Sequence, residues 1–188
     1  MREPETPNTA AYRDHRSQTE NGPRIYVACL AAYNNGRLHG RWIDAGQDVE
    51  EIQTEITEML AASPIQLAEE WAIHDYEGFE GASLGEFSSI QWVALLAAFI
   101  ADHGELGGQL LQHFGGDLDD VTAAFEEYAG EHKSLADFAK DLTEETTQIP
   151  DHLANYIDYQ AISRDMELNG DVFTIDLGLE CVHIFWSR

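Results

Sequence analysis

Three kinds of side chain in this 188-residue sequence are equipped for chemistry: carboxylates, histidines and two cysteines. A catalytic acid–base pair needs only a few carboxylates with shifted pKa values. Here 35 Asp and Glu are spread along the chain, the wrong distribution for a single catalytic centre. Gly116–Asp120 (GDLDD) begins like a calcium-binding EF-hand loop. Counting from Asp117, however, the sixth position is Thr122 where the sharp turn needs Gly, and the twelfth is Tyr128 where a bidentate Glu belongs. The eight histidines (His15, His39, His74, His103, His113, His132, His152 and His183) show neither HExxH nor another paired ligand spacing. His74 beside Asp75 has the makings of a catalytic pair, although a satisfied structural histidine is the commoner outcome. Cys181 and His183 share a strand face, which marks alternation more than a site. Neither Cys29 nor Cys181 has a CxxC partner, and both read as reduced, buried thiols. GxSxG, P-loop and GxGxxG motifs are absent. These residues thus point to no catalytic centre, no cofactor and no metal.

What the carboxylates do form is a field. From Trp42 to His132 there are 91 residues with no Lys or Arg and 20 Asp and Glu. Residues 42–187 carry 31 acids against three cations, a net of −28, whereas the first 41 residues hold six arginines and four acids. Self-repulsion on this scale destabilises a compact fold, so the acidic surface itself is the natural candidate for function. Duplex DNA carries one charge per ~1.7 Å of axis, so 28 charges match roughly 48 Å of duplex, about 14 base pairs. A sphere of this chain length is only about 32 Å across, so DNA-like spacing calls for an elongated molecule. Such a charge repels nucleic acid and anionic membrane and attracts a basic partner.

The elements that must hold these acids read as an α+β fold of up to three small domains: a β-hairpin/sheet with helix over 24–87, a central helical unit over 88–132, and a mixed helix/strand unit over 133–188. Residues 1–23, polar with three prolines, read as a mobile tail without a signal peptide. Arg24–Tyr33 and Arg37–Asp44 are rich in β-formers around Asn34-Asn35-Gly36, which predicts a hairpin. Asp48 with Glu51 predicts a capping box for a helix ending at Ser63-Pro64. Trp71–Ile73 reads as a short strand. Ser88–Ala101, apolar on almost every side, reads as a buried helix capped by Ser88 and Gln91 and broken by Gly104 and Gly107-Gly108, with a short helical turn over Leu106–Phe114. Asp117 caps a predicted helix reaching Tyr128 and beyond to 131. Ser134–Leu142 is another, and Pro150 opens a last helix with Leu153, Tyr156 and Ile157 inside. Asp171–Leu177 and Glu180–Trp186 alternate like a closing hairpin. The longest apolar run, Trp92–Ala101, is half of the ~20 residues that span a bilayer. The chain reads as soluble and cytoplasmic.

Several blocks, in order, carry a resemblance: RIYVACLAAYNNGRLHGRWID, DVEEIQTEITEML, LAEEWAIHDYEGF and HLANYIDYQAISRD. Together they resemble the ArdA antirestriction family over about residues 24–188. The resemblance implies an elongated homodimer that mimics DNA and occupies the DNA-binding groove in the methyltransferase core of type I restriction-modification enzymes. It blocks restriction and often modification, without catalytic residues, and such proteins are typically carried by phages, plasmids and transposons. The block Glu69, Glu70, Asp75, Glu77 and Glu80 matches the stretch usually called the antirestriction motif. The expected partner-binding acids are these five with Glu50, Glu51, Glu55, Glu58, Glu86, Asp117, Asp119, Asp120, Glu126, Glu127 and Glu131. Tyr156, Val182, Ile184 and Trp186 are the expected dimer surface. Two other readings compete: an acidic protein from a salt-loving host, which predicts a more even spread of charge, and a carboxylate-based hydrolase.

Overall fold

Short strands alternate with helices along the chain, and the fold is α+β, as the sequence pattern predicts. The computed structural model describes residues 22–187. The expected tail, 1–23, therefore lies outside the described residues except for its last two. Pro23 is already buried, its carbonyl accepting the Ala45 N–H at 2.9 Å. The chain divides into two compact units, one ending at Gly108 and the next beginning at Gln109. Residues 88–108 go with the first and 109–132 with the second, so the segment expected to form a central unit is shared between them.

The first unit is built on β1 (Arg24–Cys29), α1 (Leu30–Asn34), β2 (Gly40–Asp44), α2 (Val49–Ala61) and β3 (Trp71–Glu77). Its sheet has the order β2-β1-β3, with both pairings antiparallel. The expected hairpin forms, in register from Arg24↔Asp44 to Ala28↔Gly40. Its first strand is shorter than expected, because Cys29 Sγ accepts the Ala32 N–H and caps the single turn α1. Ile25, Val27, Cys29 and Ile43 are buried, and α2 buries Ile52, Ile56 and Met59, a stripe at helical spacing. Asp48 sits at the N-cap of α2 but its side chain makes no capping bond, so the expected capping box does not form. Glu50 and Glu51 in the first turn complement the positive end of the helix dipole instead. The strand at Trp71 is seven residues long rather than three.

Then comes α3 (Ile90–His113). Ser89, not Ser88, caps it: Ser89 Oγ accepts the Trp92 N–H at 3.2 Å, while Ser88 Oγ accepts the Gly85 N–H. Ile90, Val93, Leu96, Ala97 and Ile100 are buried but Leu95 is 54% exposed, so one face and not every side is core. Gly104, with φ 57° and ψ −145°, kinks the helix, whereas Gly107 and Gly108 stay helical. A Cβ at Gly108 would overlap the Glu80 carbonyl, so only glycine lets the helix approach this loop.

The second unit comprises α4 (Leu118–Glu126), β4 (Tyr128–His132), α5 (Leu135–Thr146), α6 (Asp151–Ala154), α7 (Tyr159–Asn169), β5 (Val172–Gly178) and β6 (Cys181–Trp186), with sheet order β4-β6-β5. One face of this sheet carries Val172 and Ile184 against Phe138 of α5, with Leu135, Leu142 and Met166 packed around them. The other face carries Phe185, which stacks on Phe173 and meets Tyr128 and Phe125 of α4. The C-terminal hairpin and the helix after Ser134 form as expected, Ser134 Oγ accepting the Asp137 N–H. Two expectations fail. The helix from Asp117 ends at Glu126, and Gly130, at φ 127°, belongs to a strand that no helix accommodates. The helix at Pro150 is only four residues long, with Leu153 and Tyr156 exposed rather than inside. The main helix of that segment is α7, capped by Asp158 and ended by the left-handed Gly170.

Candidate functional site

The local sequence decides how each acidic stretch is displayed. On α2, Ile52, Ile56 and Met59 take the inner face, which leaves Glu50, Glu51 and Glu58 outside and Glu55 at the margin. Arg41 of β2 reaches across to Glu58 at 3.2 Å and Glu55 at 3.7 Å, and Gln47 donates to Glu55. Glu77 at the end of β3 pairs with Arg24, whose guanidinium also lies 5.0 Å above the Trp42 ring. Glu69, Glu70, Asp75 and Glu86 are exposed. The Glu70 and Glu86 carbonyls hold the Leu30 and Ile73 N–H groups, so the sheet fixes the backbone from which these acids project. Glu80 is half-buried at φ 49°, in the loop that Gly108 approaches. Asp117 is the N-cap of α4: its Oδ1 accepts the Asp119 N–H at 2.9 Å and the Asp120 N–H at 3.2 Å.

Of the sixteen expected partner-binding acids, thirteen are exposed, and Glu55, Glu80 and Glu127 are half-buried. None is buried. The expected dimer residues divide differently. Tyr156 is 84% exposed and Trp186 is 36% exposed, while Val182 is half-buried. Ile184 is 0% exposed, because it faces the core formed with Phe138 and Val172. That corrects its assignment to an accessible surface.

The histidines do structural work where their partners are seen. His39 Nε2 bonds the Met59 carbonyl at 2.7 Å, tying β2 to the end of α2. His74 meets the Tyr33 ring edge-on, and both His74 and Asp75 are exposed. His103 lies against Phe99, and burial lowers its pKa, with Asp102 partly opposing. Two features escaped the sequence. An acid-lined surface cavity of about 440 Å³ brings Asp141, Glu144 and Glu145 beside His132 and Phe138. A second cluster joins Glu131, Cys181 and His183, with the Tyr128 hydroxyl 2.7 Å from His183 Nδ1. The Cys-x-His spacing was visible, but Glu131 enters only through the pairing of β4 with β6. Among the described residues no helix is long and apolar enough to cross a membrane.

These features define an acidic α+β protein that presents carboxylates at its surface. A family model described as "Antirestriction protein (ArdA)" matches residues 25–180, so the chain belongs to the ArdA antirestriction family. Its function is accordingly antirestriction, in a family of non-enzymatic inhibitors that interact with restriction enzymes. A comparison with curated proteins finds no match.

Proposed function

We propose that this protein inhibits type I restriction-modification enzymes by mimicking DNA, its carboxylates occupying the groove that binds the duplex in the methyltransferase core. The observation that carries this reading is that none of the sixteen acids is buried and thirteen are exposed. Spacing supports it. Glu50 to Glu58 places four carboxylates along about 12 Å of helix axis, one per ~3–4 Å, comparable to the 3.4 Å per charge of a single DNA strand. Arg41 offsets one of those charges.

The inhibitor acts in the cytoplasm as a homodimer, with Tyr156, Trp186 and the accessible part of Val182 at the contact. Sedimentation at micromolar concentration giving only a 21.0 kDa species would remove the dimer from this account. The mimicry is tested by adding the protein to a type I restriction enzyme with unmodified DNA. Cleavage should be inhibited, and added duplex should relieve the inhibition. Unaffected cleavage, or inhibition that excess duplex leaves unchanged, refutes it.

A further inference from the structure

We propose that Glu131, Cys181 and His183 form a site for a zinc-type divalent ion that ties β4 to β6. Their carboxylate oxygen, thiol sulfur and imidazole nitrogen all lie within 4.8 Å of one another. Tetrahedral ligands at 2.0–2.3 Å from a zinc ion sit about 3.3–3.8 Å apart, so closing the site asks for side-chain shifts of about an ångström. Cys181 Sγ and His183 Nε2 are already 3.7 Å apart.

The fold sets this geometry before any ion binds. Antiparallel pairing places Glu131 opposite His183, and the two-residue period of β6 puts Cys181 on the same face. Burial of Ile184 on the opposite face fixes the register, since a slip of one residue would reverse both faces. A bulge between Tyr128 and Gly130 adds one residue to β4, which returns Tyr128 to the His183 side. Tyr128 Oη lies 2.7 Å from His183 Nδ1 and Cys181 Sγ lies 3.7 Å from Nε2, so the tautomer protonated at Nδ1, donating to the Tyr128 oxygen, leaves Nε2 free to bind the ion. That is the second partner a metal-bound histidine needs to hold its tautomer and ring orientation.

The donor set selects the ion. A thiolate with an imidazole suits zinc and its relatives, whereas magnesium and calcium take oxygen ligands. Three protein ligands leave the fourth tetrahedral position to water. His183 is buried, Cys181 half-buried and Glu131 exposed, so the site sits at the margin of the core rather than among the exposed acids alone.

Because a chain this acidic adsorbs divalent ions through its exposed carboxylates, the test must read the thiolate. The reduced, chelator-treated full chain is titrated with Co²⁺ and followed by its near-ultraviolet thiolate-to-cobalt charge-transfer band and its visible ligand-field bands. One equivalent per chain should develop both with tetrahedral intensity, and Zn²⁺ should bleach them. Cys181→Ser should abolish the charge-transfer band, Cys29→Ser should leave it, and Glu131→Gln should weaken binding at least tenfold. One equivalent of Zn²⁺ should raise the melting temperature of the parent chain but not of Cys181→Ser. Cobalt uptake without a thiolate band, a band that survives Cys181→Ser, or one that requires Cys29 overturns the site and leaves only adsorption to carboxylates.

Discussion

Removing charge in one block, without touching caps or arginine pairs, separates a distributed electrostatic surface from a discrete site. The block is Glu69, Glu70, Asp75, Glu86, Asp119 and Asp120, all exposed, each changed to its amide. Asp117 is kept because it caps α4, and Glu55, Glu58 and Glu77 are kept because they pair with Arg41 and Arg24. An exposed carboxylate facing a cationic partner is worth about 0–1 kcal/mol. Six at a middle value of about 0.5 kcal/mol give about 3 kcal/mol, a rise of roughly 150-fold in the concentration needed for half-inhibition. One alone gives roughly twofold. Stability moves little, because two terms oppose. Losing Asp119 and Asp120 from the first turn of α4 costs about 0.3–1 kcal/mol each. Removing six charges from a chain of net −25 relieves repulsion in return. The melting temperature should therefore stay within about 5 °C of the parent. The assay is inhibition of a type I restriction enzyme at fixed ionic strength, with thermal melts alongside. If the sixfold variant inhibits as well as the parent, or one amide such as Glu70→Gln abolishes inhibition without changing the melt, the distributed-charge reasoning is wrong.

Other outcomes follow from the same structure. Inhibition should weaken with added salt, but less steeply than DNA binding to the same enzyme, since carboxylates on a folded surface condense fewer counterions than phosphates do; equal slopes would contradict this. Gly108→Ala forces a Cβ against the Glu80 carbonyl and should cost about 1–3 kcal/mol in urea unfolding, with a neutral result showing that the helix can move away. Asp117→Ala removes both capping bonds of α4 and should cost about 1 kcal/mol by the same measurement. His103 has a folded-state pKa below its ordinary 6.5, so the unfolded chain takes the proton first. Its contribution to stability is complete above pH 6.5 and is lost as pH falls through the lowered value. His103→Gln should flatten the stability profile in that window, and an unchanged slope would remove His103 as its cause.

The sequence by itself determined what depends on nearest neighbours and on totals. The lysine-free, arginine-free run from Trp42 to His132 needs no coordinates, and neither does the prediction that its acids lie outward, since an unpaired carboxylate is too costly to bury. Asp117 was readable as a cap because a cap is a contact across three residues. The turn at Asn34-Asn35-Gly36 was readable for the same reason of locality. Tertiary structure decided the rest. Tyr128–His132 looks helical because its acids and aromatics continue the spacing of α4, but pairing with β6, more than fifty residues later, draws it into a strand. That pairing also turns Ile184 inward, and Trp186, although exposed, lies against Phe138. Glu131 joins Cys181 and His183 by the same register. Strand register is set by which face can be buried against distant elements, a choice made over the whole unit, so no window of local sequence contains it.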